Sequence, residues 1–372
     1  MTTIALAHDY VTQRGGAERV ALAMARAFPG APLHTTLFHA EGTFPEFDQL
    51  DIRTSRVDRW PALRRHHRLA LPFLAGAVDA HPIDADVVLA SSSGWAHGFP
   101  TAGRKVVYCH APARWLYQLD RYAGGDEAPG VRARAVRAAI GMLGPRLRRW
   151  DQRAAATADR YLVNSTVIQR AVQDVYGIDA EVLAPPPATL HPDDAREEIA
   201  GVRRPFLLCV ARLLPYKNVD LVIEAVAAAG GLDLVVVGDG PERKTLEALA
   251  ARAGGTHLVG KVSDAQLRWL YAQCEGLVAA SYEDFGLSPL EAATFGKPTA
   301  ALRDGGYLDT VVEGRTGVFF DSPTVDAVAG AIGALAERSW RALEITAHAE
   351  SFSEERFATR LRDVVSEVVS HR

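Results

Sequence analysis

The sequence predicts an α/β protein made of two doubly wound, Rossmann-like domains with parallel sheets, facing each other across a cleft. Three observations predict it. The chain has 372 residues, more than one hydrophobic core usually serves. Short, continuously apolar runs alternate with amphipathic helical patterns, as expected of parallel strands covered by helices on both faces. A proline-rich connector, LAPPPATLHPDD, interrupts this alternation near the middle.

The elements follow in order. The first apolar run precedes a helical pattern at Ala17–Phe28, in which Val20, Met24 and Phe28 share one face. The predicted strands of the first half are Ile4–Ala7, Val87–Ala90, Val106–Cys109 and Tyr161–Val163. Those of the second half are Phe206–Val210, Leu234–Val237, Leu277–Ala280 and Pro298–Leu302.

These elements predict an N-terminal domain over residues 1–185 and a C-terminal domain over residues 186–352. Residues 353–372 form an amphipathic helix with Phe357, Leu361 and Val365 on its apolar face. The pattern is compatible with a helix that crosses back to the N-terminal domain, but it does not choose between the two domains.

The composition excludes several classes of protein. The chain carries 41 basic and 45 acidic residues, a net charge of −4, whereas a nucleic-acid-binding protein should show a basic excess. It has no run of eighteen apolar residues and no visible secretory signal, and its three cysteines lack metal-ligand spacing. We therefore expect a cytoplasmic protein that binds no nucleic acid.

The charge is unevenly distributed. The first 185 residues hold 22 basic and 18 acidic residues, and the remainder holds 19 and 27. Two arginine-rich stretches lie in the first half, at residues 53–68 and 132–153. The first contains Arg53, Arg56, Arg59, Trp60, Arg64, Arg65 and Arg68. Basic residues interleaved with aromatic ones can dock on anionic lipid, but a solvated arginine-rich surface is an equally good interpretation.

The most specific segment is SYEDFGLSPLEAATFGKP, which follows the strand Leu277–Ala280. The carboxyl ends of strands bind ligands in open α/β sheets. Ser288 and Pro289 predict a helix start, with Ser288 as N-cap and Pro289 at the first helical position, and such a start favours a phosphate. The spacing of Ser288 and Glu291 also fits a capping box, which would make Glu291 purely structural.

Other strand ends carry similar signals. Arg212 and Lys217 follow the strand Phe206–Val210, and Gly238 and Gly240 follow the strand Leu234–Val237. The glycines are not a dinucleotide-binding fingerprint, because Arg243 stands in the place of the third glycine. A tight turn without a ligand explains them equally well.

The first half shows the same arrangement. Gly15 and Gly16 lie between a strand and a helix, where glycine allows the backbone to approach a ligand closely. His110 follows the strand Val106–Cys109, and Asn164 and Ser165 follow Tyr161–Val163. Taken alone, such a histidine is more often structural, and Ser165 fits an ordinary helix cap.

Together these motifs resemble glycosyltransferase family 4, a family of retaining enzymes with the GT-B fold, over nearly the whole chain. The resemblance implies that Glu283 lies by the donor sugar and Glu291 by the nucleotide ribose, and that Arg212 and Lys217 hold the donor diphosphate. His110 matches a position near the donor sugar. The remaining positions implied to bind the donor are Gly15, Gly16, Gly238, Gly240, Pro241, Lys261, Val262, Phe285, Gly286, Leu287 and Ser288.

The resemblance implies an enzyme that transfers a hexosyl group from a nucleotide diphosphate sugar without a metal or other cofactor. The N-terminal domain would bind the acceptor and the C-terminal domain the donor. No DxD metal motif occurs at these sites, and fixed cations can stabilise the leaving diphosphate instead. The N-terminal motifs most resemble bacterial transferases of cell-surface polysaccharide biosynthesis, several of them mannosyltransferases, so GDP-mannose is the favoured donor.

The resemblance also favours a lipid-linked or oligosaccharide acceptor on the cytoplasmic membrane face, with peripheral membrane contact through Arg53, Arg56, Arg59, Trp60, Arg64, Arg65 and Arg68. Two other functions stay open: a sugar-nucleotide epimerase of the same fold, and a catalytically silent protein that binds a nucleotide sugar. The intact set of Glu283, Glu291, Arg212, Lys217 and His110 argues against the silent protein.

Overall fold

A computed structural model describes residues 2–118, 131–187 and 190–370, without the side chains of Arg68 and residues 131–142. Within these ranges the chain divides into two compact units. The first comprises the described residues up to Pro186 together with Glu354–Ser370. The second comprises the described residues from Pro187 to Ser353.

The first unit contains a parallel sheet of seven strands in the order β3-β2-β1-β4-β5-β6-β7. Its strands are β1 Ile4–His8, β2 Leu33–Thr35, β3 Ile52–Thr54, β4 Val87–Ser92, β5 Arg104–Cys109, β6 Arg160–Val163 and β7 Glu181–Val182. Its helices up to Pro186 are α1 Gly16–Ala27, α2 Pro61–Arg65, α3 Leu71–Asp79, α4 Arg114–Tyr117, α5 Val131–Ala155 and α6 Thr166–Tyr176. Four short 3-10 helices connect them: Ala40–Gly42, Pro45–Gln49, Arg56–Arg59 and His67–Ala70, and a fifth, Ala96–Gly98, follows β4.

The second unit contains a parallel sheet of six strands in the order β10-β9-β8-β11-β12-β13. Its strands are β8 Phe206–Val210, β9 Asp233–Val237, β10 Thr256–Gly260, β11 Gly276–Ala279, β12 Thr299–Leu302 and β13 Gly317–Phe320. Its helices are α7 Val219–Ala229, α8 Arg243–Ala253, α9 Asp264–Gln273, α10 Leu287–Thr294, α11 Tyr307–Thr310, α12 Val325–Glu337 and α13 Ala342–Glu350, with a 3-10 turn at Pro215–Lys217.

The prediction of two doubly wound α/β domains with parallel sheets is confirmed. All eight predicted strands are present, each within two residues of the predicted bounds. Their side chains are almost all buried because helices cover both faces of each sheet. The strands β2, β3, β7, β10 and β13 were not predicted; they lie nearer the sheet edges, where short strands leave a weak apolar signal.

The terminal helix α14, Glu354–Ser370, packs on the first unit. Its apolar face, with Phe357, Leu361 and Val364, joins the core formed by α1 and one side of the first sheet. Arg360 forms an ion pair with Glu181 of β7 at 2.7 Å. Within the described residues no helix is long and apolar enough to span a membrane.

Candidate functional site

In the second unit, the sequence motifs lie in loops that follow four neighbouring strands. Lys261 follows β10, Gly240 follows β9, Lys217 follows β8 and Glu283 follows β11. Because the strands are parallel, these loops share the carboxyl edge of the sheet. The strand order reverses between β8 and β11, and open α/β sheets bind ligands at such a switch point.

Lys217 and Glu283 contact each other across this switch point. The Nζ of Lys217 donates to Oε1 of Glu283, and Oγ of Ser281 donates to the same oxygen at 2.8 Å. The hydroxyl groups of Ser281 and Tyr307 are 3.3 Å apart. Burial, and then the negative charge of Glu283, raise the pKa of Tyr307. A cation, a carboxylate and neutral hydroxyl groups are thus gathered at the sheet edge.

The loop after β8 is attached to the end of β11. Asn218 adopts a left-handed conformation with φ of 53°, and its Nδ2 donates to the carbonyl oxygen of Ala280 at 2.8 Å. Asparagine adopts this conformation more readily than most other non-glycine residues, and the hydrogen bond to Ala280 attaches it here. Arg212, on the same loop, is exposed and forms no ion pair with any residue that the structure describes.

Two predicted glycines are required by the close approach of neighbouring loops. A Cβ on Gly238 would lie 1.9 Å from the carbonyl oxygen of Ala211, and one on Gly240 would lie 2.3 Å from that of Leu213. Both clashes are with backbone of the β8 loop. Packing against the β8 loop therefore requires glycine at both positions, whether or not a ligand binds there.

A second glycine pair, Gly305 and Gly306 after β12, was missed by the sequence reasoning. A Cβ on Gly305 would lie 2.3 Å from the carbonyl oxygen of Glu283, and one on Gly306 would lie 2.2 Å from Cα of Phe285. The amide of Gly306 donates to the carbonyl of Glu283 at 2.8 Å. The signal that could have found this pair is the RDGGYLD segment directly after a buried apolar run.

The predicted start of helix α10 was wrong by two residues. The helix begins at Leu287, and its N-cap is Gly286, with φ of 85° and no side-chain cap. Ser288 and Pro289 therefore occupy the second and third helical positions. Because Pro289 has no N–H, the amides without a partner inside the helix are those of Gly286, Leu287 and Ser288.

The alternative that Glu291 caps its own helix is also wrong. Glu291 lies in the second turn of α10, and its Oε2 accepts a hydrogen bond from the hydroxyl of Tyr271 at 2.7 Å. Burial and the neighbouring Glu291 charge raise the pKa of Tyr271 well above its usual range, so this hydroxyl stays a donor. Glu291 is positioned by another helix, α9.

The remaining donor-binding candidates lie around these groups. Phe285 is buried against the ring of Phe352, whereas Lys261 and Pro241 are exposed. Val262 packs on the core of the second unit. A Cβ on Gly286 would lie 2.5 Å from the Tyr307 ring, so the N-cap residue of α10 also needs to be glycine.

In the first unit, Gly15 is the N-cap of α1 and Gly16 is its first residue. Glu18 follows in the first turn and is almost completely buried. Burial raises the pKa of Glu18 to about 7, against hydrogen bonds from the backbone and Gln13 that lower it. A Cβ on Gly15 would lie 2.5 Å from Oε2 of Glu18, so a larger residue at position 15 would require the Glu18 carboxyl group to shift.

His110 belongs to a buried chain of three side chains at the ends of β5, β4 and β1. Its Nε2 lies 2.8 Å from Oγ of Ser91, and that oxygen lies 3.0 Å from Nδ1 of His8. Nδ2 of Asn164 donates to the carbonyl oxygen of His110 at 3.1 Å. Ser165 is the N-cap of α6, which is the helix-cap role that the sequence also allowed for it.

Asp9 was missed by the sequence reasoning and organises the same edge. Its carboxylate accepts hydrogen bonds from the backbone amides of Ser93, Trp95 and Ala96 at 2.6, 3.1 and 2.6 Å. It therefore fixes the loop after β4 at the switch point between β1 and β4. The signal that could have found it is an acid directly after the first strand.

The first arginine-rich stretch is well exposed. Arg53 pairs with Asp51 at 2.9 Å, whereas Arg56, Arg59, Arg64 and Arg65 form no ion pair within the described part of the chain. Arg68 has no described side chain, and in residues 132–153 the arginines before Leu143 likewise lie outside the described side chains.

Next to these arginines the structure exposes apolar side chains. Trp60, Leu69 and Phe73 are 56%, 54% and 53% exposed, and the rings of Trp60 and Phe73 touch edge to face. Tyr10 stacks on His67 at 4.5 Å, which attaches this stretch to the loop that leads to Gly15. Among the described residues no group of three or more histidine, cysteine, aspartate or glutamate side chains is placed to hold a metal ion.

Comparison with known families gives two matches. The family described as Glycosyltransferase Family 4 matches residues 14–186, and the family described as Glycosyl transferases group 1 matches residues 192–352. The two matches together span nearly all of the chain and leave out chiefly its two ends.

Comparison with curated proteins finds partial relatives. A GDP-mannose-dependent alpha-(1-6)-phosphatidylinositol monomannoside mannosyltransferase of Mycolicibacterium smegmatis is 31% identical over 178 residues, 43% of this chain and 45% of that protein. A glycogen synthase of Thermus thermophilus is 32% identical over 166 residues, 39% and 38% of the two chains. The chain thus matches less than half the length of these relatives.

Solved structures match over the whole length. HepE of Anabaena, crystallised with UDP, has a TM-score of 0.70 and 18% identity, covering 98% of this chain and all of that one. Sucrose-phosphate synthase of Thermosynechococcus elongatus has a TM-score of 0.67 and 16% identity, with both chains fully covered. At these identities the likeness establishes the fold alone.

Proposed function

We propose that this chain, which belongs to glycosyltransferase family 4 and has the GT-B fold, transfers a hexosyl group with retention from a nucleotide diphosphate sugar to a lipid-linked or saccharide acceptor. The observation that carries the proposal is the pair of Lys217 and Glu283 at the switch point between β8 and β11. Breaking a sugar–phosphate bond requires a cation for the leaving diphosphate next to groups that hold the sugar.

In this mechanism Lys217 and Arg212 stabilise the negative charge that develops on the departing diphosphate. Glu283 holds the Lys217 ammonium at the sheet edge and contacts the donor sugar. The amides of Leu287 and Ser288, at the start of α10, add donors for a phosphate oxygen. In this mechanism the cationic side chains and the helix amides stabilise the negative charge of the leaving diphosphate, and we assign no metal ion to that role.

Glu291 is assigned to the nucleotide ribose. The hydrogen bond from the Tyr271 hydroxyl at 2.7 Å holds this carboxylate in one orientation, and a carboxylate can accept hydrogen bonds from ribose hydroxyls. The glycine-lined loop at Gly238, Gly240 and Pro241 and the residues Lys261 and Val262 are assigned to the nucleotide. Gly15, Gly16, Phe285 and Gly286 are assigned to the diphosphate and sugar, and His110 to the sugar.

Retention is assigned to a dissociative, same-face route. Glu283, the carboxylate assigned to the donor sugar, is held by Lys217 and Ser281, and the proposal gives it a contact with the sugar and not the role of a nucleophile. The leaving phosphate then takes the proton of the acceptor hydroxyl. A glycosyl–enzyme intermediate trapped with a slow donor would contradict this assignment.

The test of the assignment is Lys217→Ala, with Lys244→Ala as the matched control. Lys244 is an exposed lysine of α8 in the same unit. Without the Lys217 charge we expect turnover to fall at least a hundredfold, about 3 kcal/mol of transition-state stabilisation. Initial rates with matched donor and acceptor measure it. Wild-type turnover in the Lys217 variant would overturn the proposal.

The favoured donor is GDP-mannose, because the mannosyltransferase relative carries that dependence in its name. A UDP-hexose is the second candidate, supported by the structure of the same fold that was crystallised with UDP. Thermal shift with a panel of nucleoside diphosphates distinguishes them, because the tighter ligand raises the melting temperature more. Stabilisation by UDP and not by GDP would contradict the mannosyl assignment.

The acceptor is proposed to lie at the cytoplasmic face of an anionic membrane, which the chain contacts peripherally. Exposed Trp60 and Phe73 supply apolar contact. Positive charge comes from Arg56, Arg59, Arg64 and Arg65, which form no ion pair with the residues that the structure describes. Sedimentation with anionic and neutral liposomes at low and high salt tests this. Equal binding to both lipid types would reject it.

Incubation with the donor alone separates the transferase from an epimerase, which needs no acceptor. Conversion of the donor sugar to its epimer would support the epimerase. Retained donor binding without any turnover would support a silent binding protein.

A further inference from the structure

The three-residue chain of His8, Ser91 and His110 lies at the carboxyl ends of β1, β4 and β5. Nδ1 of His8 is 3.2 Å from the carbonyl oxygen and 3.0 Å from Oγ of Ser91. Oγ of Ser91 is 2.8 Å from Nε2 of His110. All three side chains are buried. His8 and Ser91 lie in β1 and β4, and His110 directly follows β5, the strand next to β4 in the sheet.

Both histidines are expected to be neutral at pH 7, because burial lowers the pKa of each ring. Burial lowers the pKa of His8, against the neighbouring charge of Asp9. Burial, followed by the proximity of His8 and Arg114, lowers the pKa of His110 to about 3. A neutral imidazole carries one N–H, so each ring has one donor nitrogen and one acceptor nitrogen.

The positions of the protons follow from the partner atoms. The carbonyl oxygen of Ser91 can only accept, so His8 Nδ1, which faces it, carries the N–H and donates. The same N–H faces Oγ of Ser91, so the hydroxyl accepts from His8 and has its own proton left for His110. Nε2 of His110 therefore accepts from Ser91, and the proton of His110 lies on Nδ1.

The backbone of His110 is fixed as well. Its amide donates to the carbonyl of Ser92 at 2.8 Å, and its carbonyl accepts from Asn164 at 3.1 Å. Nδ1 of His110 makes no hydrogen bond to any residue within the described ranges. The one N–H of this ring is thus directed away from the chain of three residues and is available to a ligand.

We propose that Ser91 and His8 are positioning residues that fix His110 as the Nδ1–H tautomer, so that His110 meets the donor sugar as a hydrogen-bond donor to a sugar oxygen. The proposal rests on the proposed function, which assigns His110 to the donor sugar. In this tautomer Nδ1 has no lone pair, so His110 does not take the acceptor's proton. That agrees with a route in which the leaving phosphate takes it.

The direct test is the tautomer of His110 in the protein without substrate. Long-range proton–nitrogen correlation spectra of protein labelled with nitrogen-15 in histidine distinguish a protonated from an unprotonated ring nitrogen. His110→Asn identifies the signals by their loss. We expect Nδ1 protonated and Nε2 unprotonated in the wild type. A proton on Nε2 in the wild type would overturn the proposal.

Ser91→Ala removes the hydroxyl and frees Nε2, so we expect the His110 population to shift towards the Nε2–H tautomer. Ser93→Ala is the matched control, because Ser93 lies two residues on and uses only its backbone amide, towards Asp9. His8→Phe, which keeps a ring but donates no proton, gives a second variant if Ser91→Ala unfolds. An unchanged tautomer in both folded variants would contradict the positioning role.

Kinetics separate this proposal from the proposed function. We expect Ser91→Ala to lower kcat about tenfold with KM for the donor changed less than twofold, and Ser93→Ala to match the wild type. A changed tautomer with unchanged kcat would overturn the link to the sugar. If the protein transfers no sugar at all, the spectra still decide the tautomer.

Discussion

At the residue scale, the role that sequence spacing suggests for a side chain can differ from the role that its contacts in the structure show. Glu291 stands three residues after Ser288, which is capping-box spacing, yet its carboxylate is held by Tyr271 of another helix. Glu18 stands three residues after the N-cap Gly15 and is buried in the first turn of α1. Local spacing identifies which residues matter, whereas burial and partners determine their chemistry.

The raised pKa of Glu18 gives a stability prediction. The pKa is about 7 in the folded protein, against 4.5 for an unperturbed glutamate, so the folded state binds more protons than the unfolded state between these values. The free energy of unfolding therefore falls as pH rises through this window. Because glutamine does not titrate, we expect the free energy of unfolding of Glu18→Gln to lack this fall. Relative to wild type, the free energy of unfolding of the variant should therefore rise by about 3 kcal/mol from pH 4.5 to pH 7.5.

Denaturant unfolding of both proteins at several pH values measures the difference. Glu355→Gln is the control, because Glu355 is an exposed glutamate of α14. A difference between Glu18→Gln and wild type that does not change with pH would contradict the prediction.

At the element scale, helix α10 shows why a start signal read from sequence can be displaced. Ser288 and Pro289 are favoured at a helix start, but the backbone enters the helix through Gly286 in a positive-φ conformation under the Tyr307 ring. A glycine N-cap costs little relative to serine, and tertiary contacts select it here. The two-residue difference changes which amides are available to a phosphate.

Gly286→Ala tests this element. A Cβ at φ of 85° is strained and would lie 2.5 Å from the Tyr307 ring, so we expect a loss of about 1–3 kcal/mol of stability. Gly330→Ala is the control: Gly330 lies exposed in helix α12 with open space around it, and alanine there should stabilise by about 0.5–1 kcal/mol. Equal effects of the two substitutions on the melting temperature would contradict the argument.

At the scale of the whole molecule, the terminal helix α14 makes the first unit discontinuous in sequence. Phe357, Leu361 and Val364 are buried in the core that α1 also lines. Burying each such side chain contributes about 1.5–3 kcal/mol. The surface ion pairs of Arg26 with Glu354 and Arg360 with Glu181 add little by comparison.

Leu361→Ala should therefore destabilise the first unit by about 2–5 kcal/mol, because it leaves a cavity in that core. Leu343→Ala, a substitution at an 85% exposed leucine of α13, should change stability by less than about 0.5 kcal/mol. Scanning calorimetry of both variants measures the effects. A loss at Leu343 equal to that at Leu361 would exclude packing as the cause.

The sequence by itself determined the fold class, the eight central strands, and the residues at the strand ends from Gly15 to Glu291. It could do so because apolar periodicity and the Gly, Pro and Ser signals act over a few neighbouring residues. Only the tertiary structure decided that α14 belongs to the first unit, that Gly305 and Gly306 support Glu283, and that Tyr271 holds Glu291. These contacts join residues 20 or more positions apart, and their geometry exists only once the strands are ordered in the sheets.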